Sequence, residues 1–185
     1  MECKDYMNKK SLNTKKAITN SLLSLLSTNN LEEITVLAIC NHANVSRRAF
    51  YNHYNKIEDV IKDAYRFYHN KHFGNKYKNL SYLYSDEFIW DNIHFAMECK
   101  EILIAMQKWN LTSYIATYDT SRVQKYINQY DDKVIKYYNQ YYNYYTGIRY
   151  FNLCSFWVMN GQKESPQEMF DMFKYFNGLE RNIML

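Results

Sequence analysis

The 185-residue chain is poor in chain breakers, with 4 Gly and 1 Pro. That scarcity argues against a sandwich of many short strands, whose tight corners need both residues. No stretch approaches the roughly 18 consecutive apolar residues of a membrane span, so no membrane partner is expected. The opening run MECKDYMNKK has no apolar core and is not read as a secretory signal. Four cysteines, Cys3, Cys40, Cys99 and Cys154, lie far apart and form no CxxC pair. They are expected to be reduced thiols of a cytoplasmic protein, not a disulfide framework or a zinc site. Gly-rich phosphate loops, nucleophile elbows and paired-carboxylate motifs are missing too, so neither enzyme activity nor a cofactor is expected. His69 and His72 stand three apart on one helix face, but no third ligand follows at a telling spacing, and no metal is expected.

What the chain does contain is aromatic mass, 20 Tyr and 10 Phe, within 47% hydrophobic residues. With so few breakers this predicts an all-α protein. The charge is uneven. Residues 1–72 hold 11 Lys+Arg against 7 Asp+Glu, whereas residues 73–185 hold 12 of each, so the whole net charge of +4 belongs to the first part. A basic head on a neutral body suggests a polyanion-binding module joined to one with another task. The expected division is a basic head over 8–71 and a helical body over 72–185.

In the head, Ile18, Leu22, Leu25 and Leu26 have helical spacing, with Thr14 as the expected N-cap. Asn29-Asn30 should stop that helix, since asparagine tolerates the left-handed stop position. Thr35 can cap a second helix through Leu37, Ala38 and Ile39, which Asn44 breaks by taking a positive φ. Ser46 then caps a third, short helix carrying Arg47, Arg48, Ala49, Phe50 and Tyr51, with Phe50 expected to anchor it. Two short helices across a tight turn, spanning about 34–53, describe a helix-turn-helix. Arg47 and Arg48 fall in the first turn of the second helix, the part that meets base edges in such motifs. Asn55 to Glu58 reads as a capping box opening a fourth helix with Val60, Ile61, Ala64 and Phe67 or Tyr68 on one side, to about Lys71.

The run Ile34-Thr35-Val36, Ala43 through Tyr54, and Glu58-Asp59-Val60-Ile61 resembles the N-terminal domain of the TetR family of bacterial transcription regulators. The resemblance implies a three-helix DNA-binding domain in which Thr35 binds a backbone phosphate and Arg47, with Arg48 alongside, reads bases. It also implies that Tyr51 meets a phosphate, with His53 on the same approach. Ser46, Ala49 and Asn52 complete the expected contact set. The lysine frequent at the start of the family's fourth helix is replaced by Ile57, and Lys56 can cover the same phosphate.

In the body, one helix is expected from Asp86 to Trp109 with a break at Lys100-Glu101, and a connector around Thr117 to Thr120. Val123, Ile127, Tyr130, Val134, Tyr137 and Tyr138 follow, then a Tyr-dense stretch holding Tyr141, Tyr142, Tyr144 and Tyr145. From Ile148 to Met159 the sequence is apolar nearly all round, which predicts burial on both sides. Gly161 should end that helix, and Ser165-Pro166-Gln167-Glu168 is a capping box for the last one, which carries Met169, Phe170, Met172, Phe173, Tyr175, Phe176 and Leu179. The surplus apolar surface of these two helices predicts self-association through Phe151, Phe156, Trp157, Phe170, Phe173 and Phe176. The family pairs its last two long helices in the same way. The order Trp157, Gly161, Ser165, Pro166, Met169 also looks like a subgroup that includes regulators of dihydroxyacetone kinase operons. Trp90, Trp109, Tyr114 and Tyr118 are candidates to line an effector cavity, with core packing the competing reading.

The expectation is therefore a homodimeric, sequence-specific repressor. It binds an inverted repeat in double-stranded DNA and is released by a small-molecule effector. The alternative is a helical co-regulator that works through a partner protein with little sequence-specific DNA binding.

Overall fold

A computed structural model describes residues 2–74, 76–78, 80–127 and 133–183. Tyr130 lies outside these, as do the side chains of Cys3, Val123, Ile127, Val134, Tyr137, Tyr138, Tyr142 and Leu179. Among the described residues the secondary structure is helical throughout, and the protein is all-α. The chain divides into two compact units, Met1–Phe67 and Tyr68–Leu185.

The first unit holds α1 (Glu2–Thr28), α2 (Val36–His42), α3 (Arg47–Tyr51) and most of α4 (Ile57–Phe73). Its core is built from Ile18 and Leu22 of α1, Ile39 and Cys40 of α2, Phe50 of α3, and Val60, Ile61, Ala64 and Tyr65 of α4. Helix α1 starts well before Thr14, which is therefore no cap: its hydroxyl donates to the Lys10 carbonyl at 3.0 Å. The helix does end at the asparagine pair, but without a left-handed residue. Instead the Asn29 backbone N–H and its side-chain amide both donate to the Leu25 carbonyl, at 2.9 and 3.0 Å. Tyr65 is buried in α4, whereas of the expected Phe67 or Tyr68 the first is exposed and the second half-buried.

The second unit comprises α5 (Asp86–Glu98), α6 (Lys100–Lys108), α7 (Thr112–Ile127), α8 (Lys133–Met159) and α9 (Pro166–Ile183). Helix α8 packs against α5, α6 and α7, and α9 packs against α5. Tyr150 of α8 sits at the centre, edge-on to Phe88 at 4.9 Å and stacked on Phe173 at 4.7 Å. The break between α5 and α6 falls at Cys99, beside the expected Lys100-Glu101. The connector expected at Thr117 to Thr120 is instead the middle of α7. The turn lies earlier, where Asn110 takes φ 54° and the Leu111 N–H returns to the Met106 carbonyl at 2.9 Å. Gly161, at φ 79°, ends α8, and Gln162 follows with φ 52°. The last capping box is complete. The Ser165 hydroxyl accepts from the Glu168 N–H at 3.2 Å, and the Glu168 carboxylate accepts from the Ser165 N–H at 2.7 Å.

Burial on both sides of α8 does not hold. Phe151, Trp157 and Val158 are enclosed, yet Phe156 is 70% exposed and Met159 lies open beside it in sequence. A hydrophobic run records which residues avoid water, but a single chain can cover only the faces its own helices reach.

Candidate nucleic-acid interface

The short helices α2 and α3 are placed by local hydrogen bonds that compensate for their length. The Thr35 hydroxyl accepts from the Ala38 N–H at 3.1 Å, and the Ser46 hydroxyl accepts from the Ala49 N–H, also at 3.1 Å. Each satisfies a donor that would otherwise be orphaned at a helix start. Between them the chain turns through Asn44 at φ 51°, and the Val45 N–H closes the turn onto the Cys40 carbonyl at 3.0 Å. Asparagine bears the left-handed conformation at small cost where glycine would otherwise stand. The Ser21 hydroxyl donates to the Ile39 carbonyl at 2.9 Å, so α1 holds the backbone of α2 as well as its side chains.

This turn sets which residues of α3 face in and which face out. Phe50 is 0% exposed, edge-on to Tyr51 at 5.5 Å and tilted against Tyr54 at 5.8 Å. Ser46, Arg47, Arg48, Tyr51 and Asn52 are exposed, while Ala49 and His53 are half-buried. Thr35 and Lys56 are exposed as well, and Lys56 pairs loosely with Glu58 at 3.5 Å. Arg47 is close enough to Cys40 to pull its thiol pKa down, although burial is the larger influence and raises it.

The start of α4 departs from the expected capping box. Asp59 does the work assigned to Glu58, its carboxylate accepting from the backbone N–H groups of Asn55 and Lys56 at 3.2 and 3.3 Å. Sequence reasoning also missed a polar network one turn further on. Asp63 accepts from the Tyr54 hydroxyl at 2.8 Å, Lys15 at 3.1 Å and Arg66 at 2.7 Å. Burial would raise the Asp63 pKa, but the hydrogen bonds from Arg66, Tyr54 and Lys15 outweigh it and hold it below the ordinary carboxylate value. The Tyr54 hydroxyl is pushed well up, first by burial and then by Asp63. Lys15 stands 48 residues before Asp63, a separation for which no local pattern exists to read.

The residues expected to line an effector cavity lie on α5 and α7 and at the end of α6. Trp90 of α5 stacks on Phe170 of α9 at 4.8 Å and on His94 at 5.6 Å. Tyr114 and Tyr118 stack on each other along α7 at 6.1 Å, and Trp109 caps the C-terminus of α6. Of the expected self-association residues, Phe151, Trp157 and Phe173 are corrected to core positions of their own unit. The Trp157 indole donates to the Glu164 carbonyl at 2.9 Å, fixing the turn before α9. Phe156 is exposed, and Phe170 and Phe176 are half-buried. His69 and His72 turn to different partners, His69 Nε2 to Asp119 at 3.1 Å and His72 Nε2 to Glu98 at 2.7 Å. Cys99 and Cys154 are buried, and burial raises both thiol pKa values, that of Cys154 to about 12. Such thiols are poor nucleophiles at neutral pH.

No protein-family model matches the sequence, and neither does any curated protein. Among solved structures the chain is similar to "Dihydroxyacetone kinase operon activator DhaS" with a TM-score of 0.56 and 16% identity. The match covers 92% of this chain and 97% of that one. At that identity the likeness is one of fold.

Proposed function

We propose that the chain is a dimeric, sequence-specific DNA-binding regulator of transcription, without enzymatic activity. The observation that carries the proposal is the turn at Asn44, after which a Ser46-capped helix buries Phe50 and leaves Arg47 and Arg48 in solvent. Arg47 and Arg48 are assigned to base edges, where an Arg fork matches guanine O6 and N7. The Ala49 methyl is suited to a thymine methyl. Thr35, Ser46, Tyr51, Asn52, His53 and Lys56 are assigned to the phosphate backbone and fix the register. The Thr35 and Ser46 oxygens accept within their caps, and each hydroxyl keeps a hydrogen to donate to a phosphate oxygen.

The helix-turn-helix is assigned to 34–53 within a DNA-binding domain over 8–71, and dimerisation and effector response to 72–185. Phe156, with Phe170 and Phe176, is the proposed pairing surface between two copies. A two-fold dimer sets two recognition helices about 34–36 Å apart, so the operator is an inverted repeat. Repression by occupancy of that operator, relieved by a small-molecule effector, is the proposed mode. The neighbour of similar fold is named an activator, and a promoter–reporter assay reads the sign for this chain.

The test is fluorescence-anisotropy binding to duplexes from upstream of the chain's own gene, against a scrambled duplex and at two salt concentrations. Tight binding to one inverted repeat is expected. Arg47→Ala, made in both subunits, is expected to lower the preference for that repeat by about 30-fold or more, the discrimination of two bidentate pairs. Equal losses on operator and scrambled DNA would reject base reading by Arg47. Sequence-blind binding by the unmodified chain, with stable capture of another protein, would replace the proposal by the co-regulator reading.

A further inference from the structure

The first unit contains a cleft of about 280 Å³ at the end of the helix-turn-helix. Lys15, His53, Asn55, Lys62 and Arg66 line it around Tyr54, so its walls come from α1, the segment before α4, and α4 itself. The volume is several times the roughly 30 Å³ share of one water molecule, ample for a phosphate group with part of its shell.

Cations outnumber acids around the cleft, with Lys15, Lys62 and Arg66 against Asp59 on its walls and Asp63 beside it. Asp63 is a single carboxylate serving two cations, Lys15 and Arg66, besides the Tyr54 hydroxyl. Asp59, the acid on the wall, is turned to the backbone N–H groups of Asn55 and Lys56. Three cationic side chains thus face two engaged carboxylates. The Lys15 ammonium also lies 5.3 Å from the centre of the Tyr54 ring, which with Asp63 holds it in place. Cations held this way lose little freedom when an anion arrives, and an Arg fork matches phosphate oxygens in geometry.

We propose that this cleft is a second phosphodiester-binding site, which takes a backbone phosphate of duplex DNA flanking the segment read by α3. The inference rests on the DNA-binding reading above. What favours duplex DNA as the occupant is continuity: His53 lines the cleft, and the Asn55–Lys56 backbone abuts it, so the assigned phosphate contacts run into it. The cleft extends the footprint by contacts that carry charge and no sequence information.

The test uses the full chain and a mixed-sequence 30-base-pair duplex, with binding followed by anisotropy over a salt series. Lys62→Gln is expected to reduce the slope of log K against log salt by about 1.8, one phosphate contact in each subunit of the dimer, and to leave any operator preference unchanged. Lys15→Gln is the second variant. Lys16→Gln, exposed elsewhere on α1, removes the same charge outside the cleft and is expected to change the slope little. Thermal melts matching the unmodified chain establish that each variant is folded. Unchanged slopes for both cleft variants, or an equal change in Lys16→Gln, would overturn the site while leaving the DNA-binding reading intact. If the unmodified chain binds no duplex, the DNA-binding reading fails as well. Stabilisation by inorganic phosphate, lost in Lys62→Gln, would then identify a free anion as the occupant and overturn the duplex assignment.

Discussion

Both units bury an aromatic core, and they differ in where their guanidinium groups stand. In residues 1–67 Phe50, Tyr54 and Tyr65 are buried, and Arg47 and Arg48 stand in solvent. In residues 68–185 Arg122 is turned inward. It donates to the Asn70 side chain and the Gly74 carbonyl and lies over the rings of Tyr77 and Tyr118. Phe156, Met159 and Tyr175 face water there, as Leu37, Tyr51 and Phe67 do in the first unit. Exposed guanidinium groups suit a polyanion, and exposed aromatics suit an apolar partner. The guanidinium groups of the first unit and the Phe156 surface of the second are the two surfaces to compare, since net charge separates the units by only two, +3 against +1.

Changes at four positions break or sharpen this contrast. The largest effect is expected from Phe50→Ala, which empties the core beneath a five-residue helix. It should cost about 3–5 kcal/mol, read as a lowered denaturant midpoint, and abolish duplex binding. Next is Phe156→Glu, which attacks the apolar surface of the second unit. If that surface pairs two copies, the change is made twice, and losing about 1.5 kcal/mol on each side raises the dimer dissociation constant about 100-fold. Sedimentation velocity over a concentration series reads it, and an unchanged dimer would move the pairing surface elsewhere.

A smaller effect belongs to Asp63, whose pKa is depressed from its ordinary 3.8. A depressed folded-state value contributes stability that is fully present above the ordinary pKa and is lost as pH falls through the folded one. Asp63→Asn is therefore expected to cost about 1–3 kcal/mol near neutral pH, the range for hydrogen bonds to a charged group. Its deficit relative to the unmodified chain should shrink below about pH 4. Parallel melting curves at pH 7 and pH 3 check this. The smallest effect is that of Asn44→Gly, which keeps the left-handed turn at φ 51° and should shift stability by less than about 1 kcal/mol. Asn44→Ala at the same place is expected to be destabilising, by about 1 kcal/mol.

Much of the candidate interface was legible because its determinants are local. The Thr35 and Ser46 caps and the Asn44 turn are each decided by residues within a few positions, and each is found where the pattern indicates. Where two local solutions compete, the pattern fails. Asp59 and Glu58 stand side by side in sequence, and the backbone N–H groups before α4 bond to Asp59. Thr14 has good capping chemistry, but α1 begins far upstream of it. The interior of the second unit was the least legible part. Phe151, Phe156 and Trp157 have the same apolar character in sequence, and only the packing of α8 on its neighbours separates the enclosed pair from the exposed one. The Lys15–Asp63 pair was invisible for the same reason, being a product of tertiary structure alone.

The placement of the tryptophans has an optical consequence. All three, Trp90, Trp109 and Trp157, belong to residues 68–185, and the Trp157 indole is buried with its N–H bonded to a carbonyl. Emission excited selectively from indole therefore reports on the second unit alone, while the first is spectroscopically silent at that wavelength. A denaturation followed by indole emission and by far-ultraviolet dichroism gives coincident curves if the units melt together. If the curves separate, the indole signal dates the loss of the second unit, and the remaining dichroism change belongs to the first.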